Sequence, residues 1–198
     1  MKLFGTDGIR GKFNEPPINN VELVKIGYAF AKSLFNNQKG KIYISHDGRE
    51  SSSDIESALS TGIIYQGSEV ISIGLLPTPA LSICLNVQKL ETELCAGIQI
   101  TASHNPYHDN GVKFFDKDGC KIDSVLEKII ENNYFNQVEE MHIEDKKKSK
   151  HDSSEVFNKR YINYVNDYFA LKVKGVESPK RKFNILVDCA NGATSEVI

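Results

Sequence analysis

The sequence predicts an α/β protein: a mainly parallel mixed sheet flanked by helices, followed by the start of a second α/β domain. Three observations point there. Strand-like apolar runs alternate with segments of helical period, the order β-helix-β-helix-β that helical crossovers produce. One run, at 112–115, follows its predecessor too closely for a crossover and is expected to be antiparallel. Of the 198 residues, 40% are hydrophobic, enough for a real core.

The elements follow in order. Over 21–35, Val24, Tyr28, Ala31 and Phe35 recur at spacings of three and four and predict a helix. Residues 41–45 (KIYIS) read as a strand ending at His46-Asp47-Gly48-Arg49. Ser53 and Glu56 match a capping box, Ser53 as N-cap and Glu56 reaching back. The helix they open carries Ile55, Leu59, Gly62 and Ile63 on one face. Residues 70–73 (VISI) form the next strand, closed by Gly74. Thr78 caps and Pro79 starts a helix with Leu81, Cys84 and Leu85 on its apolar face. Residues 95–101 are a third strand. Asn110-Gly111 is a tight-turn signal leading into 112–115. Asp116-Lys117-Asp118-Gly119 turns the chain again; it opens like an EF-hand loop but lacks the later ligands. Asp123 is expected to cap a helix packing Val125, Leu126, Ile129 and Ile130.

Domain one is expected to span 1–141. A polar, charged linker at 142–154 follows, and 155–198 begins a second domain. There Phe157, Tyr161, Val165 and Tyr168 carry helical period, 183–188 (FNILVD) reads as a strand, 189–193 as a turn and Thr194-Ser195 as a helix start. One strand and a stub of helix cannot bury a core, so this second domain reads as cut short.

Composition excludes several classes. The net charge of -2 gives no basic face for nucleic acid and none for an anionic membrane. No secretory signal and no membrane-spanning apolar run is present. The four cysteines, Cys84, Cys95, Cys120 and Cys189, form no CxxC pattern, and Cys95 and Cys189 read as small core residues. The five histidines lack metal-ligand spacing. A reduced, cytoplasmic protein is expected.

In open α/β sheets, function gathers at the carboxyl ends of parallel strands. His46-Asp47, Gly74 and Ser103 all fall there. Ser103 and His104 stand side by side before Asn105-Pro106. Neighbours on an extended chain point to opposite faces, so His104 is expected to be badly placed as a base for Ser103. No G-x-S-x-G elbow is present, which weighs against a serine hydrolase. A serine that carries phosphate asks instead for donors and cations around a dianion. Asn105 and the loop after it supply donors, and Pro106 stiffens the turn. A plain polar turn is the competing reading. In Gly5-Thr6-Asp7-Gly8-Ile9-Arg10-Gly11 the glycines match no dinucleotide or Walker pattern, and the segment reads as a flexible turn. Its Arg10 is either a bidentate phosphate contact or an ordinary surface residue. Strand alternation sets Lys113 opposite to Val112 and Phe114, toward a polar site or toward solvent. A lysine is a poor base at neutral pH unless a cation such as Arg10 and partial burial favour its neutral form. Asp47-Gly48-Arg49 either binds a substrate group or locks its own loop by an Asp-Arg pair.

Together, the segments "FGTDGIRG", "HDGRESS", "GLLPTPA" and "ITASHNPYHDNGVKFFDKDG", in that order, resemble the α-D-phosphohexomutase family. "ILVDCANGA" is similar to the start of that family's second domain. "YHDNGVKFF", with "FGTDGIRG", looks most like its bacterial phosphoglucosamine mutase branch. The resemblance implies that Ser103 is the active-site serine, phosphorylated in the working enzyme, and that its phosphate is a ligand of the family's Mg²⁺. It implies a catalytic set of Ser103, Lys113, Arg10 and His104, with Thr6, Arg10, Asn105 and Lys113 binding phosphate. The implied reaction interconverts glucosamine 6-phosphate and glucosamine 1-phosphate through glucosamine 1,6-bisphosphate, toward UDP-N-acetylglucosamine. A phosphosugar substrate and a homodimer through domain one are implied; nucleic acid and membrane are not. Phosphoglucomutase/phosphomannomutase, or a non-catalytic binding fragment, are the alternatives. The family's Asp-Gly-Asp-Gly-Asp metal loop, sugar-recognition loop and phosphate clamp do not occur in these residues. The 198 residues alone are therefore expected to lack mutase turnover.

Overall fold

In the computed structural model, which describes residues 2–36, 38–88, 94–136, 150–151, 154–175 and 182–198, strands and helices alternate largely as expected. The order is β1 (Ile9–Lys12), α1 (Asn20–Phe35), β2 (Lys41–His46), α2 (Ser52–Gln66), β3 (Glu69–Leu75), α3 (Thr78–Gln88), β4 (Cys95–Ile100), β5 (Asp109–Phe115), α4 (Ser124–Asn136), β6 (Lys150–His151) and α5 (Ser154–Lys172). The sheet order is β1-β5-β4-β2-β3-β6. β4, β2, β3 and β6 run parallel, while β5 is antiparallel to β4 and to β1. The mixed sheet and its antiparallel 112–115 segment are as the sequence predicts.

Strand alternation builds two cores. One face turns Ile42, Ile44, Ile98, Ile100, Val112 and Phe114 toward α1, α2 and α4. Phe30 of α1 meets Phe114 with ring centroids 4.7 Å apart. The other face packs Tyr43, Ile73 and Phe115 with Leu81 and Leu85 of α3 and Phe157 of α5. Each fully buried Leu, Ile or Phe contributes about 1.5–3 kcal/mol. The two N-terminal helices touch backbone to backbone: a Cβ at Gly62 would lie 1.9 Å from the Val24 carbonyl oxygen. Gly62 therefore belongs to the packing face, as a groove.

Several expectations change. The capping box at Ser53 and Glu56 does not form. α2 starts at Ser52 with Ser51 at the cap, and Ser51 makes no cap bond because its hydroxyl donates to Asn110 Oδ1 at 2.6 Å. Asn110-Gly111 is no hairpin turn: it lies within β5, paired with Gly11 and Arg10 of β1. Glycine is needed there because a Cβ would lie 2.6 Å from the Thr101 oxygen and 3.0 Å from the Ile9 oxygen. The segment read as a flexible glycine turn instead closes through Gly5 N–H to the Gly8 oxygen, 2.8 Å, and feeds strand β1. Asp123 does cap α4, its Oδ1 accepting from the N–H groups of Val125 and Leu126. Leu126 packs on the core and Ile130 is buried, but Val125 and Ile129, one position earlier, turn to solvent.

α5 matches its predicted period only near its start. Phe157 is buried and Tyr161 packs beside it, whereas Val165 and Tyr168 are exposed. The strand expected at 183–188 has no ladder. Leu186 is 97% exposed and Ile185 80%, because no neighbouring strand among the described residues pairs with it. Residues 189–193 turn as expected, Gly192 N–H donating to the Cys189 oxygen, but 194–198 form turns, not a helix. The predicted linker at 142–154 lies mostly outside the described residues; Lys150 and His151 within it form β6. Cys95 is buried as expected, while Cys189 is only half-buried.

Candidate active site

β2, β3 and β4 end together, which gathers 47–51 and 101–109 at one edge of the sheet. Ser103 leaves β4 with φ +59°, in the left-handed region. A non-glycine residue there costs about 1–2 kcal/mol and needs support from its surroundings. The support is polar. Ser103 N–H donates to Thr101 Oγ1 at 2.9 Å, and that hydroxyl donates to Asp47 Oδ2 at 2.7 Å. Arg49 Nε donates to the same carboxylate oxygen at 3.0 Å. Arg49 Nη1 donates to the oxygens of Pro106 and Asp109, at 2.6 and 2.9 Å. Its Nη2 donates to those of Ser103 and Asn105, at 3.1 Å each. Between the two possible roles of Asp47-Gly48-Arg49, the geometry selects the loop lock.

The left-handed turn also overturns the expected separation of Ser103 and His104. Ser103 Oγ lies 3.4 Å from His104 Nδ1, because the chain is not extended at Ser103. The contact is long for a hydroxyl–imidazole bond. Asn105 joins the serine loop to the cations: its Oδ1 accepts from Arg10 Nη1 at 3.4 Å and its Nδ2 donates to Asp109 Oδ2 at 3.0 Å.

Lys113 behaves as alternation predicts. Val112 and Phe114 are buried in the core, and the Lys113 side chain, on the opposite face, is 16% exposed. Its Nζ lies 2.6 Å from Asp7 Oδ2, and Arg10 Nη2 lies 3.8 Å from the same oxygen. The hydrogen bond from Lys113 is the main reason the Asp7 carboxyl sits below the usual aspartate range, with the charges of Lys113, Lys121 and Arg10 adding to it against the opposing effect of burial. Two cations thus share one carboxylate, leaving the cluster positive. Thr6 is exposed, and its carbonyl accepts from Lys121 Nζ at 2.8 Å. Ser103 and Asn105 line an open cleft with Lys12, Tyr107 and the 189–194 turn. Arg10, Lys113 and Thr6 are not among the lining residues of that cleft; Arg10 reaches the serine loop through Asn105, and Lys113 through Asp7 and Arg10.

Asp7 and Thr101 escape a reading of the sequence alone. Asp7 stands inside the glycine motif with nothing to show that Lys113, far along the chain, returns beside it. Thr101 looks like a β-branched strand residue. Neither buried cysteine offers a competing nucleophile: burial pushes the Cys84 thiol up to about 11 and raises that of Cys95. Among the described residues, no three His, Cys, Asp or Glu side chains gather as metal ligands.

Comparison with known proteins gives the family. Residues 1–141 match the family described as "Phosphoglucomutase/phosphomannomutase, alpha/beta/alpha domain I". The chain belongs to this family. It is 37% identical over 198 residues to a phosphoglucosamine mutase of Pseudoalteromonas translucida, covering 99% of this chain and 41% of that protein. The phosphoglucosamine mutase of Marinomonas sp. is 39% identical over the same shares, and that of Coxiella burnetii 38%, covering 99% and 42%. The chain thus spans about two fifths of the length of the curated relatives it matches. Among solved structures, a Thermus thermophilus protein described as a phosphomannomutase superposes with TM-score 0.68 at 25% identity, over 86% of this chain and 36% of its own. The Paramecium pp63/parafusin phosphoglucomutase, in its open form, gives 0.55 at 25% identity, over 68% and 25%. In this phosphohexomutase fold, no described helix is long and apolar enough to cross a membrane.

Proposed function

We propose that Ser103 carries a phosphoryl group, and that these residues form the serine-bearing part of a phosphoglucosamine mutase. Its reaction would interconvert glucosamine 6-phosphate and glucosamine 1-phosphate through glucosamine 1,6-bisphosphate. The observation that carries the reading is the placement of Ser103. It is an exposed hydroxyl on a loop locked at the carboxyl end of the sheet, linked through Asn105 to Arg10, Asp7 and Lys113. The sugar follows from the relatives, which are described as phosphoglucosamine mutases.

Phosphoryl transfer needs positioning and charge more than covalent help. In the proposed step, a sugar hydroxyl oxygen bonds to phosphorus as the bond from phosphorus to Ser103 Oγ breaks. Lys113, paired with Asp7, is the proposed proton carrier: it takes a proton from the sugar hydroxyl and gives one to Oγ. Arg10 offers its guanidinium to the moving phosphoryl oxygens. His104 and Asn105 border the serine, and Thr6 adds a hydroxyl on the Asp7 turn. The bisphosphate then reorients, and its other phosphoryl group returns to Ser103.

The family resemblance implies Mg²⁺ on the serine phosphate. Mg²⁺ prefers carboxylate, phosphate and water oxygens. Around Ser103 stand an imidazole, an amide and a guanidinium, and Asp7 is already paired with Lys113. The described residues do not fit a magnesium site by themselves, and the proposed step uses none.

The test is to incubate the chain with glucosamine 1,6-bisphosphate, and with the glucose and mannose bisphosphates, and to follow protein mass. Uptake of one phosphoryl group with release of a glucosamine monophosphate supports the reading. Uptake only from the glucose or mannose compound would move the chain to a phosphoglucomutase or phosphomannomutase. The half-reaction is the step tested because it needs only Ser103 and the groups around it.

A further inference from the structure

We propose that Arg49 is the positioning residue of Ser103: it holds the serine loop in its left-handed shape and has nothing left to offer a substrate. This rests on the reading of Ser103 as the phosphoryl carrier.

A guanidinium has five N–H donors. Arg49 directs them at five acceptors: Asp47 Oδ2 and the carbonyl oxygens of Ser103, Asn105, Pro106 and Asp109. Its side chain is 10% exposed. With every donor turned inward, Arg49 is not a phosphate ligand, although an arginine at a strand end beside a serine loop invites that assignment. Four carbonyls from one loop converge on a single cation. Without it, those oxygens would repel one another and the loop would open. Asp47 anchors Arg49 and, through Thr101, takes up the Ser103 N–H. The serine is therefore gripped from both its N–H and its C=O. A lysine has three donors on one atom and cannot span this set.

The test compares Arg49→Lys and Arg49→Ala with the unchanged chain. Hydrogen exchange over 101–109 should rise about ten-fold or more, with 95–100 unchanged. The maximal rate at which Ser103 gains phosphoryl from glucosamine 1,6-bisphosphate should fall about a hundred-fold, with half-saturation unmoved. Added methylguanidinium should restore part of that rate in Arg49→Ala. Unchanged exchange in a folded Arg49→Lys overturns the proposal. So does an unchanged maximal rate with poorer half-saturation, the signature of a substrate ligand. If the unchanged chain takes no phosphoryl group, the phosphoserine reading fails, and exchange alone then decides the clamp. Arg49→Lys keeps the charge and guards against loss of folding, checked by its urea midpoint.

Discussion

Two irregular stretches of this chain differ in kind. Residues 101–108 have no regular structure, yet Ser103, Asn105 and Pro106, with Asp109 at the start of β5, are all tied to one arginine. Residues 183–188 alternate like a strand, yet Phe183, Ile185 and Leu186 stand 68%, 80% and 97% exposed. The first lacks a repeating pattern and is fixed by polar bonds. The second has the pattern and, among the described residues, lacks a neighbour to pair with. Strand propensity is a fitness for a pleated, half-buried surface; it does nothing until that surface exists. A polar loop can be specified residue by residue through its carbonyls.

The contrast can be broken by mutation. The largest stability effect is expected from Thr101→Val. It keeps the shape but strips the hydroxyl from the Ser103 N–H and from Asp47. The Ser103 N–H loses its acceptor, and the charged Asp47 carboxylate keeps Arg49 but loses a donor; together these should cost about 1–3 kcal/mol, read as a shift in urea midpoint. A cost near zero would mean the loop is held without this link. A smaller, pH-dependent effect is expected at Asp7. Its carboxyl lies below the ordinary aspartate value, chiefly through the Lys113 hydrogen bond. That stabilisation is complete above the unfolded-state value and is lost as pH falls through the lower folded value. The stability gap between the unchanged chain and Asp7→Asn should stay constant from neutral down to mildly acidic pH, then close in strong acid. A gap that instead closes near neutrality would place the controlling group elsewhere. The smallest effect is expected at Leu186→Ser, within about 0.5 kcal/mol, since that side chain is 97% exposed. A large loss there would show that 183–188 is packed after all.

The elements carried by periodicity were legible: α1 through Val24 and Phe35, the buried β4, and the face of α3 through Leu81 and Leu85. What escaped were tertiary effects. β1 hides in a glycine-rich segment because its ladder depends on β5, distant in sequence. Asn110-Gly111 has the chemistry of a turn, but glycine is there for backbone clearance and Asn110 for a bond to Ser51. In the candidate site, the placement of Lys113 opposite Val112 and Phe114 was readable from alternation. The relation of His104 to Ser103 was misread because the rule for extended chains does not hold at φ +59°. Arg49 was ambiguous for a physical reason: whether a guanidinium faces a ligand or its own loop depends on where the loop's carbonyls point.

The central claim is that Ser103 exists to carry phosphoryl. The most direct measurement is intact-mass and fragment mapping of the chain after exposure to glucosamine 1,6-bisphosphate, beside Ser103→Ala. A single phosphoryl group on Ser103, absent from Ser103→Ala, is the predicted result. Equal uptake by both, or uptake mapped to another residue, would contradict it.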